Sequence, residues 1–264
     1  MNQIGFLNTI KMSIDAALGR VENHKSNLST VTTIFLHVRK AGGTSMRHAM
    51  RWGTGFARCH VTTDVEASAY RNLTPERRKE IGLLQGHLLY GVHNHCPGDH
   101  AYVTMLRDPV RRVVSAYHYV TKTHPGTYKK ELGLEGFGTS LRYRNHMAGY
   151  VAGLNREEVQ RIDDSELLQR SLHNMDEDFS VVGITEKFDE SLMLMRRKLG
   201  WRLYPLYLRA KSNTTRPEIE DIPRSTREAI REANHVDQKL YEHAQIRFQR
   251  EWAQHPDLAR QVAR

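Results

Sequence analysis

Apolar residues run almost unbroken at 32–38, 102–106 and 179–185, and each run gives way to charged or hydroxyl-bearing residues. Short runs without strict alternation predict strands covered on both faces, as in parallel sheets. Between and beyond them the apolar positions recur at three- and four-residue steps. That spacing predicts helices over 44–52, 75–84, 109–121, 141–154, 165–175, 189–199 and 225–252, the last with a break near His235. Thr74 and Pro75 read as an N-cap and a first helical residue, and Gly200 as a helix stop. The stretch 122–139 holds four glycines and a proline and reads as a long surface loop. A second polar loop is expected at 212–223, and a frayed tail after Pro256. Strands alternating with helices predict an α/β fold, a central mostly parallel sheet flanked by helices in three layers, with ligands at the strand C-termini.

Residues 1–30 carry Ile4, Leu7, Ile10, Ile14, Leu18 and Val21 at helical spacing, so an amphipathic helix and a linker are expected there. Three uses are open to that helix: packing on the domain, pairing two copies into an oligomer, or lying on a membrane surface. One domain is expected over 31–254, with a tail at 255–264. Mean hydropathy is −0.61, and no stretch approaches the roughly 20 apolar residues of a membrane span. No secretory signal is visible, so the expected location is cytoplasmic.

Charge narrows the partners. Lys and Arg number 39 against 30 Asp and Glu, a net charge of +9. That balance suits polyanions, whether nucleic acid, an acidic glycan or a phosphorylated cofactor. No recognised DNA- or RNA-binding motif accompanies the charge, which leaves a nucleic-acid-binding protein as a rival with one support and no nucleic-acid partner expected. Two cysteines, Cys59 and Cys96, form no paired motif and are expected as free thiols. His93, His95, Cys96, Asp99 and His100 have zinc-ligand chemistry. Their spacing matches no common finger and Pro97-Gly98 marks a turn, so no metal is expected and the segment reads as a polar loop near an acceptor cleft.

The chemistry concentrates in two turns. After the first strand come Arg39, Lys40, Ala41, Gly42, Gly43, Thr44 and Ser45, leading into a helix. Such a turn aims backbone N–H groups and a helix N-terminus at one point, which suits phosphate or sulfate. A Walker loop places its lysine after the glycines. Here Lys40 precedes them, which disfavours ATP or GTP and leaves an atypical nucleotide kinase as a rival. After the second strand come Arg107, Asp108 and Pro109, then Ser115 on the following helix. Asp108 is placed to cap that helix, and Arg107 and Ser115 could hold one phosphate between charge and hydroxyl.

Together, strand-Lys-x-Gly-Gly-Thr-Ser and strand-Arg-Asp-Pro with a helical Ser resemble the paired signature of sulfotransferases that use PAPS (3′-phosphoadenosine 5′-phosphosulfate). The resemblance is closer to the carbohydrate branch that includes heparan sulfate 2-O-sulfotransferases and many bacterial relatives, and it extends over Val182–Ser191 and the 212–217 loop. It implies a P-loop-like fold, PAPS as donor with PAP as product, and no metal. It implies that Lys40 meets the bridging oxygen, and that residues 42–45 bind the 5′ end. It implies that Arg107 and Ser115 hold the 3′-phosphate, and that Lys211, Thr214 and Thr215 close over the nucleotide. Two positions depart from the pattern: Arg39 stands where proline is usual, and Ala41 where threonine is usual. Animal relatives are typically anchored in the Golgi by an N-terminal span.

Transfer also needs a base for the acceptor hydroxyl. His87, after Gly86 and between the two motifs, sits where related glycan sulfotransferases place theirs; His37, His60, His93, His95 and His100 are rivals. Tyr119, Arg142, Arg144 and Asn145 could line an acceptor site, since Arg and Tyr suit sulfated or carboxylated sugars. The expected reaction is sulfuryl transfer to a glycan hydroxyl. Tyrosine, lipid and small-molecule acceptors remain open.

Overall fold

A computed structural model describes residues 31–54, 59–62, 67–124, 132–201, 205 and 217–262. The expected helix at 1–30 lies outside them. Five strands form one sheet: β1 (Thr32–Leu36), β2 (Cys59–Thr62), β3 (Leu83–Gly86), β4 (His100–Leu106) and β5 (Phe179–Ile184). Their spatial order is β2-β3-β1-β4-β5, and every pairing is parallel. β1 is buried along its whole length. Ile34, Phe35 and Leu36 anchor the core, each worth about 1.5–3 kcal/mol by removal from water.

The order decides where ligands bind. The chain leaves β1 toward β2 on one side and leaves β4 toward β5 on the other, while β1 and β4 are neighbours. A crevice therefore opens between their C-terminal ends, the switch point of a parallel sheet. Thr104 Oγ1 donates to Leu36 O at 2.8 Å and fixes the two strand ends beside each other.

The flanking helices are α1 (Gly43–Gly53), α2 (Ser68–Arg71), α3 (Pro75–Lys79), α4 (Pro109–Thr123), α5 (Gly133–Thr139) and α6 (His146–Ala152). They continue as α7 (Arg156–Arg161), α8 (Asp164–Asp178), α9 (Phe188–Lys198), α10 (Arg224–Ala233), α11 (His235–Ala253) and α12 (Pro256–Val262). Thr74 accepts from Arg77 N and Asp108 Oδ1 accepts from Arg111 N, so both expected caps are in place. The helix break falls at Asn234, one residue before His235.

Several expectations are corrected. The helix expected over 75–84 stops at Lys79, and Leu83–Gly86 is a central strand. The pair Leu83-Leu84 fits either element by periodicity, and close packing decides it: a Cβ on Gly86 would lie 2.0 Å from Thr62 O of β2. The loop expected over 122–139 contains α5; its residues 125–131 lie outside the described set. The glycines there serve helix packing, because a Cβ on Gly138 would sit 2.6 Å from Ile230 and 2.8 Å from Val113. Phe137 joins Val110, Val113, Val114, Ile222 and Ile230 in a second apolar cluster. Residues 256–262 are helical with Leu258 fully buried, where a frayed tail was expected. The helix expected over 141–154 begins only at His146.

A buried polar network explains that late start. Asp237 of α11 accepts from Met147 N (3.1 Å) and Ala148 N (2.8 Å), so its carboxylate caps α6. Arg112 lies 3.7 Å from the same carboxylate, both side chains at 1% exposure or less. Asn145, in the left-handed region with φ 48°, donates its backbone N–H to Asn234 Oδ1. Removing one member of a buried pair strands the other charge. Asp237→Ala should therefore lower the unfolding free energy by about 3–5 kcal/mol in chemical denaturation. A loss under about 1 kcal/mol would mean that Arg112 finds solvent or another partner.

Candidate active site

The turn after β1 is built on two left-handed residues, Lys40 (φ 69°) and Gly42 (φ 73°). For lysine that conformation costs on the order of 1–2 kcal/mol, so something must hold it. Arg107 does: its Nη1 donates to Lys40 O at 3.1 Å. The first and second motif turns thus meet through a hydrogen bond across the crevice. Lys40 Nζ lies 4.1 Å from the centroid of the Tyr119 ring of α4.

Gly42 and Gly43 lead into α1, whose N-terminus has no side-chain cap and no acidic residue in its first turn. Thr44 and Ser45 occupy that turn. Gly43 packs directly on His37: an added Cβ would approach the imidazole to 1.8 Å. Ala41 is fully buried, so a hydroxyl at that position would face the core, and the residue offers the crevice its backbone alone. Ser115 is half-buried in the second turn of α4. Backbone amides, a lysine and an arginine converging at a helix N-terminus fit an anionic nucleotide end.

His87 follows β3. Its Nδ1 lies 3.0 Å from His37 O, and since a carbonyl only accepts, Nδ1 carries the proton. Nε2 is then the basic nitrogen. Burial lowers the His87 pKa to about 4; the His37 carbonyl opposes that shift, and the cations Arg39, Arg47 and Lys40 add to it. His37 is held neutral by burial first and then by His87 and Arg47. The two rings lie 4.5 Å apart. The His37 ring therefore lies between the glycine turn and His87.

Sequence reasoning missed three residues here. Glu186, in the 3₁₀ turn Thr185–Lys187, lies 3.8 Å from Arg107 Nε and accepts from Asp108 N at 3.3 Å. Tyr241 of α11 donates to the other Glu186 oxygen at 2.9 Å. This carboxylate orients Arg107 from behind. The signal lies in the Val182–Ser191 resemblance, which by itself assigns Glu186 no role. Arg47, one turn into α1, bears on both histidines and had no motif to mark it.

A pocket of about 270 Å³ borders this centre. Arg39, Arg142, Arg144, Arg156 and Tyr150 line it. Arg39 is a hydrogen-bonding neighbour of the Tyr150 hydroxyl. Arg39 and Lys40 thus divide between two places, the pocket and the turn. Asn145 stands apart from the other expected acceptor residues: it is 1% exposed, and its Oδ1 accepts from Asp237 N, so its role is to shape the α6 entry. Tyr119 is 41% exposed beside Lys40. Lys211, Thr214 and Thr215 lie outside the described residues.

His93, Cys96 and His100 lie at the other end of the sheet, since His100 opens β4 and Asp99 O accepts from Thr32 N at the start of β1. That corrects their expected place near the acceptor cleft. His93 stacks on His100 at 4.4 Å and its Nδ1 lies 3.0 Å from Tyr102 Oη. Among the described residues no group of three or more His, Cys, Asp or Glu is placed to hold a metal. Cys59 and Cys96 are free thiols. No helix among the described residues is long and apolar enough to cross a membrane.

A strand–turn–helix cradle at the switch point of a parallel β2-β3-β1-β4-β5 sheet defines a P-loop-like α/β protein. Residues 21–264 match the Galactose-3-O-sulfotransferase family, and the chain belongs to it. It is 30% identical over 245 residues to Galactose-3-O-sulfotransferase 3 of Bos taurus, covering 83% of this chain and 57% of the relative. Over the same length it is 29% identical to the Homo sapiens protein of that name, again covering 83% of the chain and 57% of the relative. Galactosylceramide sulfotransferase of Bos taurus is 31% identical over 162 residues, covering 56% of the chain and 38% of the relative. The chain thus spans a little over half the length of the galactose-3-O-sulfotransferase 3 relatives. The expected carbohydrate class stands, while the family matched is the galactose branch and not the heparan sulfate 2-O branch. The two motif turns that carried the resemblance do not distinguish these branches.

Proposed function

We propose that this chain transfers the sulfuryl group of PAPS to a hydroxyl of a galactose-containing glycan or glycolipid. The observation that carries the reading is the Arg107–Lys40 hydrogen bond, which brings the two anion-binding turns together over the β1/β4 crevice. The names of the relatives supply the acceptor class.

The donor supplies an activated sulfur, already anionic, bound to a phosphate that leaves. Each protein group then has one task. The 42–45 amides and hydroxyls hold the 5′ end at the α1 N-terminus. Arg107, oriented by Glu186, and Ser115 hold the 3′-phosphate. Lys40 leaves the Tyr119 ring to offset negative charge as it grows on the leaving phosphate. His87 Nε2 takes the acceptor proton while the acceptor oxygen bonds to sulfur and the sulfur–phosphate oxygen bond breaks. The Nδ1–H···O bond fixes the tautomer and leaves Nε2 as the accepting nitrogen.

PAP, as product, tests the binding half directly. A ligand at 100 times its Kd adds about 2.7 kcal/mol of stability. For a chain of this size that is a rise in Tm of roughly 5–10 °C. Arg107→Ala should reduce the rise at equal PAP. An unmoved Tm at millimolar PAP would overturn the reading.

A further inference from the structure

Arg39, Arg142, Arg144 and Arg156 line one pocket, and among the described residues Glu157 is the one carboxylate in its lining. None of the four guanidinium groups is within ion-pair distance of a carboxylate among the described residues. They are held in other ways. Arg142 and Arg156 stand 5.9 Å and 5.6 Å from the centroid of the Tyr143 ring, which positions both without neutralising either. Tyr143 is fixed in turn by stacking on Phe137 at 3.9 Å and by Arg112 Nη2, which donates to its carbonyl at 3.2 Å. The Arg156 pKa is lowered by burial and then by Arg142, with Arg39 adding to it, as expected for like charges gathered without a counterion. A guanidinium fork matches a carboxylate or sulfate in two parallel hydrogen bonds.

The pocket adjoins the reacting groups along the chain on two sides. Arg39 immediately precedes Lys40, and Leu89, also in the lining, follows His87 by two residues. His146 bridges the two regions, being a neighbour of both Arg156 and His87. A ligand group seated in the pocket would therefore lie beside the chain segments that carry Lys40 and His87.

We propose that this pocket is an anion subsite, and that the acceptor carries a carboxylate or sulfate that the arginines grip while a neighbouring sugar presents its hydroxyl to His87. The acceptor is then an acidic saccharide. The link to transfer rests on the sulfotransferase reading; the subsite itself rests on the clustered arginines.

The test is calorimetric titration with three probes: a neutral galactosyl disaccharide, the same disaccharide bearing a uronate, and the same bearing one sulfate. Hydrogen bonds to charged groups predict that at least one acidic probe binds about 10–100-fold more tightly than the neutral one. The tighter of the two identifies the anion. The double variant Arg142→Ala/Arg156→Ala alters two pocket side chains outside the hydrophobic core, and in it the affinity ratio should fall toward one. Equal affinities in the unaltered chain, or a ratio that survives the double variant, would overturn the proposal. PAP titrated into the same samples reads the donor site separately. A normal PAP response with no acidic preference sinks the subsite alone, whereas an acidic preference with no PAP response keeps the subsite and sinks the sulfotransferase reading.

Discussion

Lys40→Ala is expected to lower kcat by about 10²–10³, the scale seen when one preorganised group facing developing charge is removed. The fold should survive, because alanine at φ 69° is no more strained than the lysine it replaces. The Arg107 bond to the residue 40 carbonyl is independent of the side chain, so the two turns should stay joined. Single-turnover rates at saturating donor separate this loss from weaker binding. A variant keeping a third or more of the normal rate would mean that the leaving phosphate is stabilised from elsewhere, with Arg39 and Arg47 the next cations to examine.

His87→Ala should cost about 10²–10⁴ in turnover, the range for a positioned general base. Its pH dependence is distinctive. With a pKa near 4 in the free protein, His87 is neutral across the physiological range. The acid limb of kcat/KM should therefore fall near pH 4 and not near the ~6.5 of an ordinary histidine. Bound anions offset Arg39, Arg47 and Lys40, so the limb of kcat should lie at higher pH than that of kcat/KM. Folding carries the same signature. In the unfolded chain His87 and His37 take protons near ~6.5, while the native state keeps both neutral well below that. Their contribution to stability is fully present above that pH and is lost as pH falls toward 4. Denaturation followed from pH 7 to 4 checks this, and must accompany the rate profile so that unfolding is not read as loss of a base. An acid limb at 6.5 with an unchanged fold would remove His87 from the base role.

What could be read from the chain follows physical range. The two turns were legible because each is a local event: a strand end, a glycine or proline, and a helix start within about ten residues. Their convergence needed only the switch-point rule. β3 was misread because Leu83 and Leu84 fit a helix as well as a buried strand, and the deciding contact, Gly86 against Thr62, joins residues on different strands. β2 escaped because its four residues are partly polar and Val61 is 39% exposed. Asn145 carried a plausible polar side chain, yet its partners Asn234 and Asp237 lie about ninety residues away. Arg39 read as a departure from pattern, and only the three-dimensional grouping with Arg142, Arg144 and Arg156 gives it a task.

In the proposed transfer, one residue touches both halves. The His37 ring fills the space under Gly43, while its own carbonyl fixes the proton on His87. In the proposed reaction, donor grip and proton acceptor both rest on residue 37, one through its ring and the other through its backbone carbonyl. Variants selected for tighter nucleotide hold should drift in their acid–base behaviour too, even where they never alter residue 87.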